Sequence, residues 1–267
     1  MAASPFSLER KIAIVTGGGV GIGRSIALEF ARAGADVVIA SRKIENLEPV
    51  TAEIRRLGRR SFCMAVDVRQ EEAVKALVER TAKDLGRLDI MVNNAGASFR
   101  AKPEEISPNG WNAVVGINLN GVFFGCKWAA TQMLVQGGGA IINVSSIAGV
   151  YGSVMMAHYG AAKAAVINLT RSLSMAWAKH NIRVNCVAPG PVETEGYMDV
   201  LTKQDPAAAK RAYDAVSSRV GMGRWGKVHE IAYPCIFLAS DASSFMTGAT
   251  IVVDGGPSVR LGDEASE

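Results

Sequence analysis

The chain is poor in the residues from which proteins build metal and disulfide sites. Its 267 residues include three histidines and four cysteines, and the cysteines are widely spaced at Cys63, Cys126, Cys186 and Cys235. They form no CxxC pair and stand beside no histidine cluster, so neither a zinc site nor a disulfide framework is expected. We therefore predict no metal site, and any redox chemistry has to come from an organic cofactor.

Long apolar runs and a strong charge of one sign are also missing. No run of about 20 apolar residues is present, and residues 1–11 lack the apolar core of a secretory signal. The formal net charge is only +4, with basic residues interspersed among acidic ones, which argues against nucleic acid as a partner. We expect a cytoplasmic protein that binds neither membranes nor nucleic acid.

No linker, charge block or low-complexity tract divides the chain. Helical and strand-like segments alternate almost to the end, so residues 1–256 are expected to form a single domain, followed by a tail over 257–267. Strand and helix alternate four times in the first part, an order typical of a parallel, doubly wound sheet with right-handed crossovers. We predict an α/β fold with about seven mainly parallel strands and helices on both faces.

The individual elements follow from apolar patterning. Short apolar runs predict strands at 12–15, 37–40, 61–66, 88–92, 140–144, 182–187 and 249–253. Helical spacing predicts helices at 22–33, 44–57, 70–85, 106–136, 156–179, 206–219 and 229–238. In the helix over 106–136, Trp111, Val114, Ile117 and Phe124 are expected to face the sheet. Asn118 lies in its middle, and because asparagine competes for backbone hydrogen bonds we expect a local bend there.

A cluster of glycines follows the first strand. Gly17, Gly18, Gly19, Gly21 and Gly23 stand between strand 12–15 and helix 22–33. Glycine permits a tight turn and lets the backbone come close to a ligand, and the free N–H groups of the helix N-terminus attract anions. A pyrophosphate could bind there, although the glycines could also serve only a tight turn.

Polar residues follow several strands, where ligands of parallel sheets bind. Asp67, Asn94 and Ser146 occupy such positions, with Ser145 as an alternative to Ser146, and Asp67 could instead cap the next helix. Tyr159 and Lys163 are four residues apart and hence on one face of a helix. An ammonium group beside a phenol is expected to lower the pKa of the tyrosine and make it a usable proton donor.

Five motifs together resemble the short-chain dehydrogenase/reductase family. They are TGGGVGIG at 16–23, NNAG at 93–96, a serine thirteen residues before a tyrosine, YGAAK at 159–163 and PG at 189–190. The resemblance covers about residues 8–256 and implies a Rossmann-like fold that binds NADP and interconverts a ketone and a secondary alcohol. It also implies a homotetramer, with the helices at 106–136 and 156–179 and the region around the seventh strand at interfaces.

The resemblance implies roles for individual residues. Tyr159 would be the general acid and base, Lys163 would hold the nicotinamide ribose and lower the pKa of Tyr159, Ser146 would bind the reacting oxygen, and Asn118 would hold a water. The implied cofactor-binding residues are Gly17, Gly19, Gly21, Ile22, Gly23, Ser41, Arg42, Asp67, Val68, Asn94, Ala95, Gly96, Tyr159, Lys163, Pro189, Gly190, Val192 and Thr194.

The end of the second strand bears on the choice of cofactor. Enzymes of this fold that prefer NAD usually carry a carboxylate there, whereas this chain has Ser41, Arg42 and Lys43. No carboxylate repels a 2′-phosphate, and a guanidinium can bind one through two parallel bonds. We predict NADP(H), with NAD(H) as the alternative. Arg42 and Lys43 could also form a solvated charge pair.

The resemblance implies a small carbonyl or alcohol compound as the substrate, and its pocket is expected between three segments. Residues 97–100, 147–156 and a lid over about 192–226 should form its walls. The candidate wall residues are Phe99, Tyr151, Met155, Tyr197, Met198 and Trp225, with Arg100 and Arg224 as possible anchors for an anion. His158 is expected to be a pocket wall or a surface residue. A 3-oxoacyl thioester, a steroid-like or cyclic ketone and a small hydroxy compound all remain open.

Two other functions compete with a ketoreductase or alcohol dehydrogenase. The segments VVIASRK and PGPVETEG are similar to those of NADPH-dependent enoyl- and dienoyl-CoA reductases, which reduce a carbon–carbon double bond. Those enzymes generally depart from the YxxxK arrangement, which this chain keeps. A non-catalytic NADP-binding sensor is the alternative from another class, and a damaged set of catalytic residues would be its sign.

Overall fold

A computed structural model describes residues 4–196, 198 and 205–256 of the chain. The strands in these residues are β1 (Ile12–Thr16), β2 (Asp36–Ser41), β3 (Cys63–Ala65), β4 (Ile90–Asn93), β5 (Gly139–Val144), β6 (Ile182–Pro189), β7 (Val192–Glu193), β8 (Gly226–Lys227) and β9 (Thr250–Val253). Seven of them form one sheet in the order β3-β2-β1-β4-β5-β6-β9, and each pairing in it is parallel.

Helices cover both faces of this sheet. They are α1 (Gly21–Arg32), α2 (Ile44–Arg56), α3 (Glu71–Leu85), α4 (Pro108–Val115), α5 (Gly121–Gln136), α6 (Ile147–Tyr151), α7 (Ala157–Trp177), α8 (Pro206–Ser217) and α9 (Val228–Ala239). The order of the strands reverses between β1 and β4, so the crevice in which ligands of such folds bind opens beside the carboxyl end of β1. The predicted Rossmann-like, doubly wound fold is confirmed.

The alternation of side chains along the central strands explains the two layers of helices. In β1, Ala13 and Val15 pack into a core with α1, α2 and α9, whereas Ile14 between them faces a second core with α3, α5 and α7. Each of these three strand residues is fully buried. A strand buried on both faces has to be apolar throughout, which is why the strand segments could be identified as continuous apolar runs.

The helix predicted over 106–136 is interrupted as expected, but one of its residues does not face the sheet. It consists of α4 and α5 joined by a π-helical turn at Gly116–Asn120, which contains Asn118 and confirms the expected irregularity. Trp111 does not face the sheet, because 42% of it is exposed, whereas Val114 is buried. The first turn of α4 is capped by Ser107, whose hydroxyl accepts a hydrogen bond from the Gly110 N–H at 3.1 Å.

The remaining predicted elements are present, and their ends are shifted by at most two residues. The structure also contains short elements that were not predicted, because they are too short to show a periodic pattern. Helix α6 has five residues, and β7 and β8 form a separate two-stranded sheet. The predicted tail over 257–267 lies outside the described residues. Among the helices of the described part, none is long and apolar enough to cross a membrane.

A buried polar network joins the sheet to α5 and α7. The Asn93 side-chain amide donates to Asn143 Oδ1 at 2.9 Å, and the Asn143 amide donates to Thr170 Oγ1 at 3.0 Å. These three side chains are at most 2% exposed. Gly125 on α5 packs directly against them, since a Cβ built there would lie 1.9 Å from Asn93 Oδ1.

We predict that Gly125→Ala lowers the free energy of unfolding by about 2–4 kcal/mol, because the methyl group overpacks the core and displaces a buried hydrogen-bonded amide. Urea-induced unfolding measures the change. Gly116→Ala is the matched control, since its Cβ would lie 3.8 Å from the Arg69 side chain, and it should change stability by less than about 1 kcal/mol. Equal unfolding midpoints for the two variants would contradict this account of the packing.

Candidate active site

The glycine turn after β1 is shaped by close backbone approach. Gly17 and Gly21 have φ of 68° and 54°, values that side chains disfavour. A Cβ on Gly23 would lie 2.2 Å from the Gly17 carbonyl oxygen, and one on Gly17 would lie 2.8 Å from Asn94 Nδ2. Helix α1 begins at this turn with no side-chain cap on its first N–H groups. Those N–H groups can therefore bind a phosphate.

Thr16, at the end of β1, holds the turn against the segment after β4. Its hydroxyl accepts hydrogen bonds from the Asn94 and Ala95 N–H groups at 3.0 and 3.1 Å. Asn94 Nδ2 in turn donates to the Thr16 carbonyl oxygen at 2.9 Å. This role of Thr16 was not predicted from the sequence, although its position as the first residue of TGGGVGIG was a usable signal. Asn94 is consequently fixed by the backbone on which the glycine turn begins.

A groove runs from the glycine turn toward the end of β2. The predicted cofactor residues that line it are Gly17, Gly19, Ser41, Arg42, Asp67, Val68, Ala95 and Gly96. Arg69, which the sequence analysis did not single out, donates to both oxygens of the Asp67 carboxylate, at 2.9 and 3.0 Å from Nε. The hydrogen bonds from Arg69 and the nearby charge of Arg42 hold the pKa of Asp67 below its ordinary value. Asp67 is therefore an ionised hydrogen-bond acceptor in the groove.

Arg42 and Lys43 stand exposed at the end of this groove. The Ser41 hydroxyl donates to the Lys43 carbonyl oxygen at 3.2 Å, which fixes the turn between β2 and α2. In the described part of the chain, no carboxylate forms an ion pair with Arg42. Its guanidinium is available to an anion from outside the chain.

A second cleft continues from the groove at Gly96, which lines both. Three of the four predicted catalytic residues, Ser146, Tyr159 and Lys163, line this second cleft. The predicted cofactor residues Ile22, Asn94, Pro189 and Gly190 line it as well. Residues separated by more than a hundred positions in sequence thus meet at the carboxyl ends of β1, β4, β5 and β6.

The alternative serine, Ser145, has a structural contact. Its side chain is 3% exposed and donates to the Lys163 carbonyl oxygen at 2.8 Å, which ties β5 to α7. Ser146 instead caps α6, because its hydroxyl accepts a hydrogen bond from the Ala148 N–H at 3.1 Å. Both serines line the cleft, but Ser146 is the one whose side chain acts on the pKa of Tyr159, which it lowers.

The pKa of Tyr159 differs from the expectation. Burial raises it, and the hydrogen bond with Ser146 only partly opposes this effect. Lys163 does not lower it, because the Lys163 ammonium lies 5.6 Å from the centre of the Tyr159 ring and donates to the Val144 carbonyl oxygen at 2.8 Å. Burial also lowers the pKa of Lys163 to about 8. At neutral pH the Tyr159 phenol is protonated and is ready to donate a proton.

Asn118 lies behind Gly96, next to the cleft. Its side-chain amide donates to the Ala97 and Val114 carbonyl oxygens at 2.7 and 2.9 Å. Its Oδ1 is buried without a donor among the described residues, and a Cβ on Gly96 would lie 2.7 Å from it. Because the π-helical turn orients this amide and leaves an acceptor free, Asn118 can hold a water as the family pattern implies.

The other predicted cofactor residues lie at the far side of the turn. Thr194 lies over Gly21, where a Cβ would be 3.4 Å from its side chain. Val192 is 7% exposed and packs into the core with α1 and α9, so only its backbone can face a ligand. Gly190 lies close to Asp254, since a Cβ built at Gly190 would be 2.7 Å from the Asp254 Cα. This close approach explains the glycine of the PG motif.

Several predicted pocket residues lie elsewhere. Trp225 is 4% exposed and stacks on Tyr213 at 5.5 Å between ring centres. Arg224 forms an ion pair with Glu230, so the predicted anion anchor is occupied. Tyr197 lies outside the described residues. In the rest of the lid region, the α8 helix confirms the helix predicted over 206–219.

His158 is neither a surface residue nor part of the lining of the catalytic cleft. It is fully buried, with its ring 4.3 Å from that of Phe99 between ring centres. Neither ring nitrogen has a hydrogen-bonding partner among the described residues. Burial lowers its pKa below the ordinary value of 6.5. This buried neutral ring packs the segment after β4 against the start of α7, beside Tyr159.

The chain is similar to known proteins over nearly its whole length. A family model described as enoyl-(acyl carrier protein) reductase matches residues 18–258. The 2-dehydro-3-deoxy-D-gluconate 5-dehydrogenase of Escherichia coli is 39% identical over 96% of this chain and 98% of its own length. The 3-oxoacyl-acyl-carrier-protein reductase FabG of Thermotoga maritima is 38% identical over 93% of this chain and 98% of its own length.

A solved structure shares the fold of this chain. It is assigned as an NAD(P)-dependent gluconate 5-dehydrogenase from Beutenbergia cavernae and contains NADP at low occupancy. Its TM-score is 0.86 at 36% identity, over 95% of this chain and 98% of that one. These likenesses define the class of the protein, which is an oxidoreductase with a nucleotide-binding α/β fold. Within that class, the chain belongs to the short-chain dehydrogenase/reductase family.

We predict that the stability of the protein falls as the pH drops below about 6.5. The unfolded chain binds a proton at His158 that the native state, with its lowered pKa, does not bind. Stability is therefore complete above the unfolded pKa and declines below it, with a slope from this group of at most about 1.4 kcal/mol per pH unit. Urea unfolding measures it at pH values from about 7.5 to about 5, which bracket the ordinary pKa of histidine.

His158→Gln should flatten this pH dependence, because glutamine does not titrate. His180→Gln is the matched control, since His180 is exposed after the end of α7, and it should retain the wild-type slope. An unchanged slope in the His158 variant would contradict the assignment.

Proposed function

We propose that the protein is an NADP-dependent ketoreductase or alcohol dehydrogenase, with Tyr159 as the general acid and base. The observation that carries this proposal is the meeting of Ser146, Tyr159 and Lys163 in one cleft that continues into the glycine-lined groove. A proton donor thus stands in the cleft at one end of the groove, and the Arg42 guanidinium stands at the other end. A carbonyl compound is the substrate type that this arrangement suits.

The groove fits NADP(H) by its shape and its charge. The glycine turn leaves no room for side chains where a pyrophosphate would approach, and the N-terminus of α1 faces the same place. Asp67 offers an ionised acceptor to the adenine end, and Arg42 offers a cation to a 2′-phosphate. When bound, the cofactor supplies the hydride in reduction and accepts it in oxidation. This fit supports NADP(H) over NAD(H).

The side chains of the cleft divide the proton chemistry among them. In reduction, the Tyr159 hydroxyl donates its proton to the carbonyl oxygen, and in oxidation the tyrosinate accepts the proton of the alcohol. Ser146 donates a hydrogen bond to the same oxygen and so stabilises negative charge as it develops there. The buried ammonium of Lys163 binds ribose hydroxyls, and Asn118 holds the water that joins Lys163 to solvent. Each role requires the geometry described for that residue.

We also propose a homotetramer. Large apolar side chains are exposed on the elements that the family pattern assigns to interfaces, and exposed apolar patches often mark association surfaces. They are Phe123, Leu134 and Val135 on α5, Met175 on α7, Phe245 before β9 and Val252 on β9.

A cytoplasmic location is proposed as well, because Cys63, Cys126, Cys186 and Cys235 are all free thiols, as is usual in reducing compartments.

Reduction of an enoyl thioester is a second candidate function. The description of the matching family model favours it. Enoyl reductases generally lack the tyrosine and lysine of the YxxxK arrangement. The presence of both residues here favours a ketone as the substrate. Both lie in the cleft with Ser146, where a carbonyl oxygen would find a proton and a hydrogen bond together.

We predict that Tyr159→Phe lowers kcat for ketone reduction by about 10²- to 10⁴-fold and leaves NADPH affinity nearly unchanged, because only the proton donor is lost. Steady-state rates on a 3-oxoacyl thioester, with the matching enoyl thioester alongside, and NADPH fluorescence on binding measure these effects. Tyr233→Phe is the control, since Tyr233 is half exposed on α9. Retained ketone turnover in the Tyr159 variant would refute its role, and a faster enoyl reaction in the wild type would favour the second candidate.

We predict that Arg42→Ala weakens NADPH binding by about 1.5–3 kcal/mol, the scale of a hydrogen bond to a charged group, and leaves NADH binding unchanged. Titration with each cofactor measures the two affinities. Arg56→Ala, at the exposed far end of α2, should change neither. A wild-type protein with equal affinity for NADH and NADPH would show that Arg42 does not select the cofactor.

A further inference from the structure

A further cleft opens beside Ser146, on the side away from the cofactor groove. Ser146 and Gly190 line both this cleft and the catalytic one, so the two are continuous. Its walls are α6, the residues that follow α6 and the start of the segment after β6. A group attached to the reacting carbonyl carbon can therefore extend into it.

The described side chains that line this cleft are apolar or bear only a hydroxyl group. The apolar ones include Ile147, Ala148, Val154, Met156 and Pro191, and the hydroxyl groups belong to Ser146, Tyr151 and Ser153. None of the described lining residues carries a charge or an amide. Val154 is 83% exposed and Tyr151 51% exposed. An apolar ligand that covers this exposed apolar surface removes it from water, which favours binding.

Three basic residues of the described neighbouring segments, Arg100, Arg224 and Lys227, are engaged elsewhere or lie outside the cleft. Arg224 donates to both carboxylate oxygens of Glu230, at 2.9 and 2.7 Å, and also to the Trp225 carbonyl oxygen at 2.9 Å. Lys227 forms an ion pair with Glu193. Arg100 is exposed on the segment after β4 and is not part of the lining. Among the described residues that line this cleft, a substrate carboxylate would therefore find no cation to balance it, which is unfavourable.

On the basis of the proposed function, we infer that the substrate is a ketone, or its alcohol, that carries an extended uncharged alkyl or alicyclic group. A polyhydroxy acid such as the sugar acid named for the Escherichia coli relative does not match the apolar walls. The alkyl group can belong to a free ketone or to a 3-oxoacyl thioester, which present the same chain to the cleft. The reaction that supplies the substrate accordingly yields a lipophilic ketone or a secondary alcohol.

The test is a substrate series with the full chain and NADPH. The series comprises 2-alkanones of increasing length, cyclohexanone, 3-oxoacyl thioesters of matched chain length, and 5-keto-D-gluconate as the polyhydroxy acid. We expect kcat/KM to rise about three- to fourfold with each added methylene, the value of burying one such group, until the cleft is filled. A parallel rise for the thioesters, with higher values throughout, would identify the thioester as the source of the chain, and higher values for the free ketones would identify the ketone.

Val154→Ser should reduce the advantage of the longest ketone over the shortest, because it removes apolar surface from the wall of the cleft. Val150→Ser is the matched control, since Val150 lies on α6 with 40% exposure but outside the lining, and the slope of the series should stay at its wild-type value. Equal effects of the two substitutions would overturn the assignment of the cleft to the alkyl group.

The two levels of the proposal fail in different ways. A flat alkanone series with Tyr159-dependent turnover of 5-keto-D-gluconate would overturn the apolar substrate and leave the ketoreductase standing. Intact NADPH binding without turnover of any carbonyl compound in the series would overturn the ketoreductase, and the substrate inference with it.

Discussion

The close approach of the glycine turn to the segment after β4 is the constraint on which the rest of the site depends. Gly17 and Gly23 meet backbone and Asn94 atoms at distances that exclude any side chain. Thr16 closes the contact with hydrogen bonds to both Asn94 and Ala95. The groove for the cofactor and the cleft that holds Tyr159 meet at Gly96, in the same segment. A shift of this contact would therefore displace the cofactor and the catalytic residues relative to each other.

Burial at the base of the cleft sets the protonation states on which the chemistry depends. Tyr159 and Lys163 both lose solvation there, so the pKa of the phenol is raised and that of the ammonium is lowered. Both shifts favour the neutral form, as is expected of charged groups taken out of water. The ammonium is hydrogen-bonded to the Val144 carbonyl oxygen rather than to the phenol. The phenol of Tyr159 therefore stays protonated at neutral pH, which is the form that a proton donor needs.

Strands, most helices and the residues of the cleft could be predicted because each leaves a local mark in the sequence. Asn118 in a helical pattern indicated an irregular helix, and the structure contains a π-helical turn there. Other features had no local mark. The pairing of Arg69 with Asp67 and of Arg224 with Glu230 depends on which of many scattered charges meet in the fold. Trp225 could be placed in the core only through its stacking on Tyr213, twelve residues earlier.

The same difference explains why the cofactor could be inferred from sequence and the substrate class could not. The cofactor side is built mainly from backbone, and close backbone approach demands glycine at fixed spacing, which is visible as a motif. The substrate side is built from side chains on a five-residue helix and the loop after it, where an exposed Val154 and an exposed surface valine look alike in sequence. Only the structure places Val154 in the lining of a cleft that shares Ser146 and Gly190 with the catalytic one. In such a fold, the residues that select the substrate therefore lie in short helices and loops, where the periodic pattern of apolar residues carries the least information.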